Sequence, residues 1–241
     1  MDSEDYRASH QTRGPKYDSA IVSTPFDAYM DKWEGHHLAR IVPQLFPDGI
    51  PRYLDFACGT GRITQRVESF ATESYGVDVS ESMLDAARAK CRKTRFVCVD
   101  LTRDDADLGQ FDLVTSFRFF GNAQDELRES VLAALTRLLK QGGRLIINNH
   151  RNPRALMLAA RRMTTGIDEV DLSHPKLEAL LRKHGFEIEL RRPIGFWIFR
   201  AKLTTARRLE SALADRLERM FAYSRLAAYA PDALLVARKV A

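Results

Sequence analysis

Residues 53–64 read Tyr-Leu-Asp-Phe-Ala-Cys-Gly-Thr-Gly-Arg-Ile-Thr: an apolar run ends at Phe56, and Gly59 and Gly61 follow before a helix near Arg62. Glycine supplies positive-φ backbone and lets a ligand approach the main chain closely. The pattern argues against two anion-binding loops. A dinucleotide-type GxGxxG begun at Gly59 and Gly61 needs a third glycine where Thr64 stands, and no Gly-Lys-Ser/Thr phosphate loop is present. Asp55, just before the turn, repels a pyrophosphate and suits a ligand carrying positive charge. Two more carboxylates end β-type runs: Asp78 closes Tyr-Gly-Val-Asp, and Asp100 closes Phe-Val-Cys-Val-Asp. Carboxylates at such strand ends accept ribose hydroxyls (Asp78) or an adenine amino group (Asp100) through charge-assisted bonds.

The elements that must hold these residues follow from periodicity. Strands are predicted at Arg52–Phe56, Ser74–Val77, Arg95–Val99, Phe111–Thr115 and Arg144–Asn148, with helices from about Arg62, Ser80, Ala123 and Pro175. A helix over Pro25–Val42 comes first, and Pro43, Pro47-Asp48-Gly49 and Pro51 break the chain after it. Strict alternation of strand and helix implies right-handed crossovers and a parallel sheet covered on both faces. The fold class is α/β, an open doubly wound sheet with ligands at the carboxyl ends of its strands. Two later strands, Phe186–Leu190 and Leu234–Lys239, flank an amphipathic helix marked by Leu209, Leu213, Leu217, Met220 and Phe221.

The chain of 241 residues is 45% hydrophobic and 29% charged, an ordinary globular balance. Its net charge of +5 is uneven, with 18 Lys/Arg against 10 Asp/Glu over residues 151–241. That basic third suits an anionic substrate, a membrane surface or nucleic acid, or else forms a solvated arginine face. Cys58, Cys91 and Cys98 make no CxxC pair, which argues for a reducing, cytoplasmic setting and against a zinc module. No metal site is expected: His36-His37 beside Glu34 lacks ligand spacing and reads as a surface helix, and Asp104, Asp105 and Asp107 read as a solvated loop. The first thirty residues are polar with no secretory signal, and no apolar run is long enough to span a bilayer.

S-adenosylmethionine, with an ammonium, a sulfonium and no phosphate, meets these requirements. Residues 53–64, 75–84 and 96–101 resemble the first three motifs of the class I S-adenosylmethionine-dependent methyltransferases. Asp112-Leu-Val-Thr-Ser-Phe and Leu138-Leu-Lys-Gln-Gly-Gly-Arg-Leu-Ile-Ile resemble the fourth and fifth strands of that family. The likeness covers about residues 50–150; one departure is Ala57, where the family's first glycine stands. It implies a seven-stranded, mostly parallel Rossmann-like sheet, with a polar tail and helical cap over 1–48 and a catalytic domain over 49–241. A basic helix at 151–165 and a helical insertion at about 203–230 belong to that domain.

The resemblance also implies site residues. The cofactor set comprises Asp55, Ala57, Cys58, Gly59 and Gly61 at the turn, Asp78, Val79 and Met83 after the second strand, Asp100 and Leu101 after the third, and Ser116 and Phe117 after the fourth. Tyr17, Tyr29 and Trp33 either close over the cofactor from the N-terminal helix or pack on the sheet. The acceptor pocket is expected over strands four and five, near Arg118, Asn122, Asn149 and His150. His150 is a general-base candidate by its near-neutral pKa, or else a loop cap. Alignment alone carries much of an in-line methyl transfer, so a base is not required. Arg151–Met163 forms a basic helix beside the pocket, and Phe196–Phe199 an aromatic wall or core.

The implied activity is methyl transfer from S-adenosylmethionine to an O- or N-nucleophile of a small molecule, anionic if the basic third serves it, with no duplex nucleic acid and no membrane span. Two alternatives are RNA methylation and non-catalytic cofactor binding. The Asn/Asp-Pro-Pro-Tyr element of base-modifying relatives is replaced here by Ser116-Phe-Arg-Phe, which lowers the first.

Overall fold

A computed structural model describes residues 25–104, 106–150, 152–155, 172–195, 212–221, 224 and 228–240. Seven strands form one sheet: β1 (Ile50–Phe56), β2 (Ala71–Asp78), β3 (Thr94–Cys98), β4 (Phe111–Ser116), β5 (Leu139–Asn149), β6 (Phe186–Ile194) and β7 (Asp232–Lys239). Their spatial order is β3-β2-β1-β4-β5-β7-β6. The pairs among β1 to β5 are parallel, while β7 inserts antiparallel between β5 and β6. The order reverses between β1 and β4, the switch point at which open α/β sheets bind ligands.

Six helices accompany the strands among the described residues: α1 (Pro25–Leu45), α2 (Thr64–Val67), α3 (Glu81–Lys90), α4 (Asp125–Leu138), α5 (His174–Lys183) and α6 (Ala212–Phe221). Successive strand residues point to opposite faces, and the core divides accordingly. Leu54, Val114, Leu145, Ile147 and Leu235 pack with Leu127, Val131 and Leu135 of α4 and Leu177 and Leu181 of α5. Their neighbours Tyr53, Leu113, Ile146, Leu234 and Val236 pack on the other face with Leu38, Ile41 and Val42 of α1 and Val67 of α2.

Three boundaries differ from expectation. Pro43 does not end α1, because the Phe46 amide still bonds the Val42 carbonyl at 2.9 Å and carries the helix to Leu45. Pro51 lies inside β1, near the strand's start, where lost donors matter least. The helix expected from Arg62 is one short turn, α2, followed by a 3₁₀ turn at Glu68–Phe70. The surface reading of α1 also fails on one face: Glu34 and His37 are buried, because that face turns toward the sheet.

Candidate functional site

Leaving β1, the chain passes through three residues in the left-handed region. Ala57 has φ 53°, Gly59 φ 53° and Gly61 φ 75°. For Ala57 this backbone costs on the order of 1 kcal/mol. The Cys58 amide bonds the Val77 carbonyl at 3.0 Å and the Gly59 amide bonds Asp78 Oδ2 at 2.8 Å. The two glycines do different work. A methyl added at Gly59 would meet nothing within 4 Å, so its face opens onto a cleft. A methyl at Gly61 would sit 3.0 Å from the Ala87 Cβ and Cys91 Sγ, so Gly61 serves the approach of α3.

The cleft lies over the ends of β1, β2, β3 and β4 and encloses about 950 Å³ including its open mouth. It is lined by Asp55, Ala57, Cys58, Gly59, Asp78, Val79, Met83, Asp100, Leu101, Phe117 and Arg118. Of the anticipated cofactor set, Gly61, Ser116 and Tyr29 are not in its lining. Ser116 is buried at the end of β4. Tyr29 is buried with Met30, Trp33 and Ile194, and its hydroxyl donates to Glu218 on α6 at 3.3 Å. The packing alternative therefore describes Tyr29 and Trp33. Tyr17, Arg151 and residues 156–165 of the expected basic helix, and Phe196–Phe199 lie outside the described residues, as does much of the 203–230 insertion. Asn152–Ala155, at the expected start of that helix, form a turn closed by the Ala155 amide on the Asn152 carbonyl.

Three carboxylates stand at successive strand ends around the cleft. Asp55 is 2% exposed; Thr64 Oγ1 donates to its Oδ2 at 2.6 Å and Thr115 Oγ1 to its Oδ1 at 2.7 Å. Burial nevertheless wins over these bonds and pushes the Asp55 carboxyl up to about 6. Asp78 accepts the Ser80 amide on Oδ1 at 3.0 Å as well as the Gly59 amide. Asp100 accepts both the amide and the hydroxyl of Thr102 on Oδ1, at 3.0 and 2.6 Å.

Of the catalytic candidates, Arg118 lines the cleft; His150 and Asn122 stand behind it. Asn122 Nδ2 donates to the Arg118 carbonyl at 2.7 Å, and His150 Nε2 lies 3.2 Å from Asn122 Oδ1. The three residues are thus brought together as a chain of hydrogen bonds with Arg118 at its inner end. Arg118 itself has φ 58°. Asn149 is buried and faces away from the cleft, with Nδ2 donating to the Leu172 carbonyl at 2.9 Å and lying 3.0 Å from His174 Nδ1, while its Oδ1 has no hydrogen-bond partner among the described residues. Among the described residues no cluster of three His, Cys, Asp or Glu side chains could hold a metal ion.

Sequence reasoning missed Thr60, Arg62, Thr102 and Phe119 in the lining. Thr102 had a local signal, since Asp-x-Thr forms an Asx turn. Arg62 had none, because its partners Asp31 and Glu34 lie far upstream on α1, at 2.5 and 2.7 Å. Their charges outweigh burial and hold the Arg62 guanidinium above its ordinary pKa.

A methyltransferase-domain family pattern matches residues 54–143. A ubiquinone biosynthesis O-methyltransferase from Methylococcus capsulatus is 31% identical over 113 residues, covering 44% of this chain and 46% of that protein. The chain spans about half the length of the curated relatives it matches. The magnesium protoporphyrin IX methyltransferase of Synechocystis PCC 6803, with bound SAH, shares the fold at a TM-score of 0.65 and 15% identity, over 97% of both chains. The N-methyltransferase NodS of Bradyrhizobium japonicum does so at 0.57 and 12%, over 86% of both. A strained turn after β1, acidic residues at three strand ends and these likenesses agree: residues 54–143 match a methyltransferase domain, on a sheet with the fold of the class I S-adenosylmethionine-dependent methyltransferases.

Proposed function

We propose that the protein transfers a methyl group from S-adenosylmethionine to an oxygen or nitrogen of a small-molecule acceptor. The observation that carries this reading is the cleft at the β1/β4 switch point, with Asp55, Asp78 and Asp100 around the open face of Gly59. When bound, S-adenosylmethionine supplies an electrophilic methyl on a sulfonium. Asp78, oriented by two backbone amides, accepts the ribose hydroxyls; Asp100, pinned by Thr102, faces the adenine end. Asp55 suits the cationic methionine portion, and a nearby ammonium favours its ionised form. The site's chemistry is therefore matched to a positively charged nucleoside without phosphate.

Arg118 reaches the cleft from the loop after β4, and on this reading it meets the acceptor. It favours an acceptor carrying negative charge, in keeping with the basic character of residues 151–241. His150, set back behind Asn122, serves to hold the Arg118 loop; orientation of the acceptor supplies the rate. Relatives named for ubiquinone biosynthesis and for porphyrin methylation support a small-molecule acceptor. No helix among the described residues is long and apolar enough to cross a membrane.

Calorimetry with S-adenosylhomocysteine, and NAD as a control, tests the cofactor assignment. Binding of the first and not the second is expected. A panel of phenolic, carboxylate and amine acceptors, read by mass spectrometry for one added methyl, then tests transfer. Absence of S-adenosylhomocysteine binding would overturn the reading.

A further inference from the structure

The two walls of the cleft are joined through a side chain that belongs to neither. Glu34 on α1 is 1% exposed. Its Oε2 accepts Arg62 Nη1 at 2.7 Å, and its Oε1 accepts Asn148 Nδ2 at 2.7 Å. Asn148, near the end of β5, in turn accepts the Arg118 amide on Oδ1 at 2.5 Å. Arg62 lines the cleft from the glycine turn and Arg118 from the loop after β4. Asp31, one turn before Glu34, grips the same side: it accepts Arg62 Nη1 at 2.5 Å and Arg66 Nη2 at 2.6 Å.

Both groups that face Glu34 are donors, so only a carboxylate satisfies both at once. Burying a carboxylate is costly unless it is paired and hydrogen-bonded. Docking of α1 does not require one, since Leu38, Ile41 and Val42 already bury an apolar face against the sheet. The amide bond to Asn148 also anchors Arg118 in its left-handed backbone, a conformation that surrounding contacts must impose.

We propose that Glu34 is a positioning residue for the reaction, setting Arg62 and Arg118 across the methyl-donor cleft through its two hydrogen bonds; this rests on the methyl-donor reading above. Glu34 touches neither ligand. It acts through Arg62 on the cofactor side and through Asn148 on the acceptor side. The N-terminal helix is thereby part of the site's geometry as well as a cover for the sheet.

The test is a swap. Glu34→Gln places an amide N–H against either Arg62 or Asn148, two donors facing each other, with little change in volume. Glu34→Gln with Asn148→Asp restores every bond. The introduced side-chain amide donates to the new carboxylate, which still accepts the Arg118 amide, and the introduced amide oxygen accepts Arg62. The expected result is about ten- to hundredfold weaker S-adenosylhomocysteine binding in the single variant. The double variant should return to within about threefold of the parent. The Arg118 amide resonance should move in the single variant, although Glu34 makes no bond to it, and return in the double. Parent-like affinity and an unmoved Arg118 resonance in a folded Glu34→Gln protein would overturn the proposal. So would a loss that the double variant fails to restore. If the single variant does not fold, the double decides: parent-like binding supports the bond network, and weak binding overturns it. Failure of the parent to bind S-adenosylhomocysteine is a separate result, which removes the methyl-donor reading and this proposal with it.

Discussion

Asp78 Oδ2 accepts the Gly59 amide at 2.8 Å, so the carboxylate ending β2 shapes the turn that follows β1. The same side chain accepts the Ser80 amide at 3.0 Å and so ties its own strand end to the start of α3. Asp78 is thus held by backbone before any ligand arrives, and orientation is settled in advance of binding. One residue organises the turn and presents acceptors to the cleft.

Asp78→Ala is expected to weaken S-adenosylhomocysteine binding by roughly ten- to hundredfold for each charge-assisted bond lost, about 1.5–3 kcal/mol apiece. It also removes the acceptor for the Gly59 amide, so the melting temperature should fall with the affinity. Calorimetry and thermal melts on one sample check both. Unchanged affinity in the folded variant would take Asp78 out of the site.

The two glycines should separate cleanly. Gly59→Ala places a methyl in open cleft and adds about 1 kcal/mol of backbone strain, so binding should fall far more than stability. Gly61→Val drives a branched side chain against Ala87 and Cys91 and should destabilise the fold by a few kcal/mol. Denaturant melts beside calorimetry distinguish them; the reverse ranking would reassign the glycines.

What the sequence disclosed and what it hid divide by distance along the chain. The glycine turn and the aspartates at the strand ends are local patterns, each a few residues beside a β-type run, and they marked the cleft. Arg62 and Glu34 lie 28 residues apart, and Tyr29 and Glu218 lie 189 apart. No periodicity predicts such pairs, so Tyr29 looked available for the cofactor and α1 looked solvated at Glu34. Pro43 shows the converse: a local breaker rule yielded to an otherwise intact helix packed on the sheet.

Burial lifts the Asp55 carboxyl to about 6, whereas a cationic ligand favours the ionised form. Affinity for S-adenosylhomocysteine, whose ammonium remains, should therefore be highest above pH 6 and fall as pH drops through about 6 and Asp55 takes up a proton. Asp55→Asn should bind more weakly at about pH 8 and lose this dependence. A parent profile flat between about pH 5 and 8 would contradict the placement of positive charge beside Asp55.

Glu218 links α6 to α1, accepting the Tyr29 hydroxyl at 3.3 Å and the Gly195 amide at 2.7 Å. Burial outweighs these bonds and raises its carboxyl to about 7. A raised acid stabilises the fold below its unfolded pKa, and that contribution is lost as pH rises through the folded value. Stability should thus decline between about pH 5 and 8, by on the order of 2 kcal/mol. Glu218→Gln should flatten that decline, which urea titrations at several pH values would reveal. An equal slope in both proteins would assign the dependence elsewhere.

Arg118 lines the cleft from the loop after β4, and its left-handed backbone is fixed by Asn148 and Asn122. If it meets a negatively charged acceptor, Arg118→Gln should raise the acceptor KM by about ten- to hundredfold, the range for a hydrogen bond to a charged group. S-adenosylhomocysteine affinity should stay within about threefold of the parent, since the strand-end carboxylates are untouched. The salt dependence of KM should be shallow, reflecting one or two charges. A nucleic-acid substrate would give a steep slope instead, about −0.7 in log–log terms for each phosphate neutralised on a single strand. Steep dependence, with tight RNA binding at physiological salt, would replace the small-molecule acceptor by an RNA one while leaving the cofactor assignment intact.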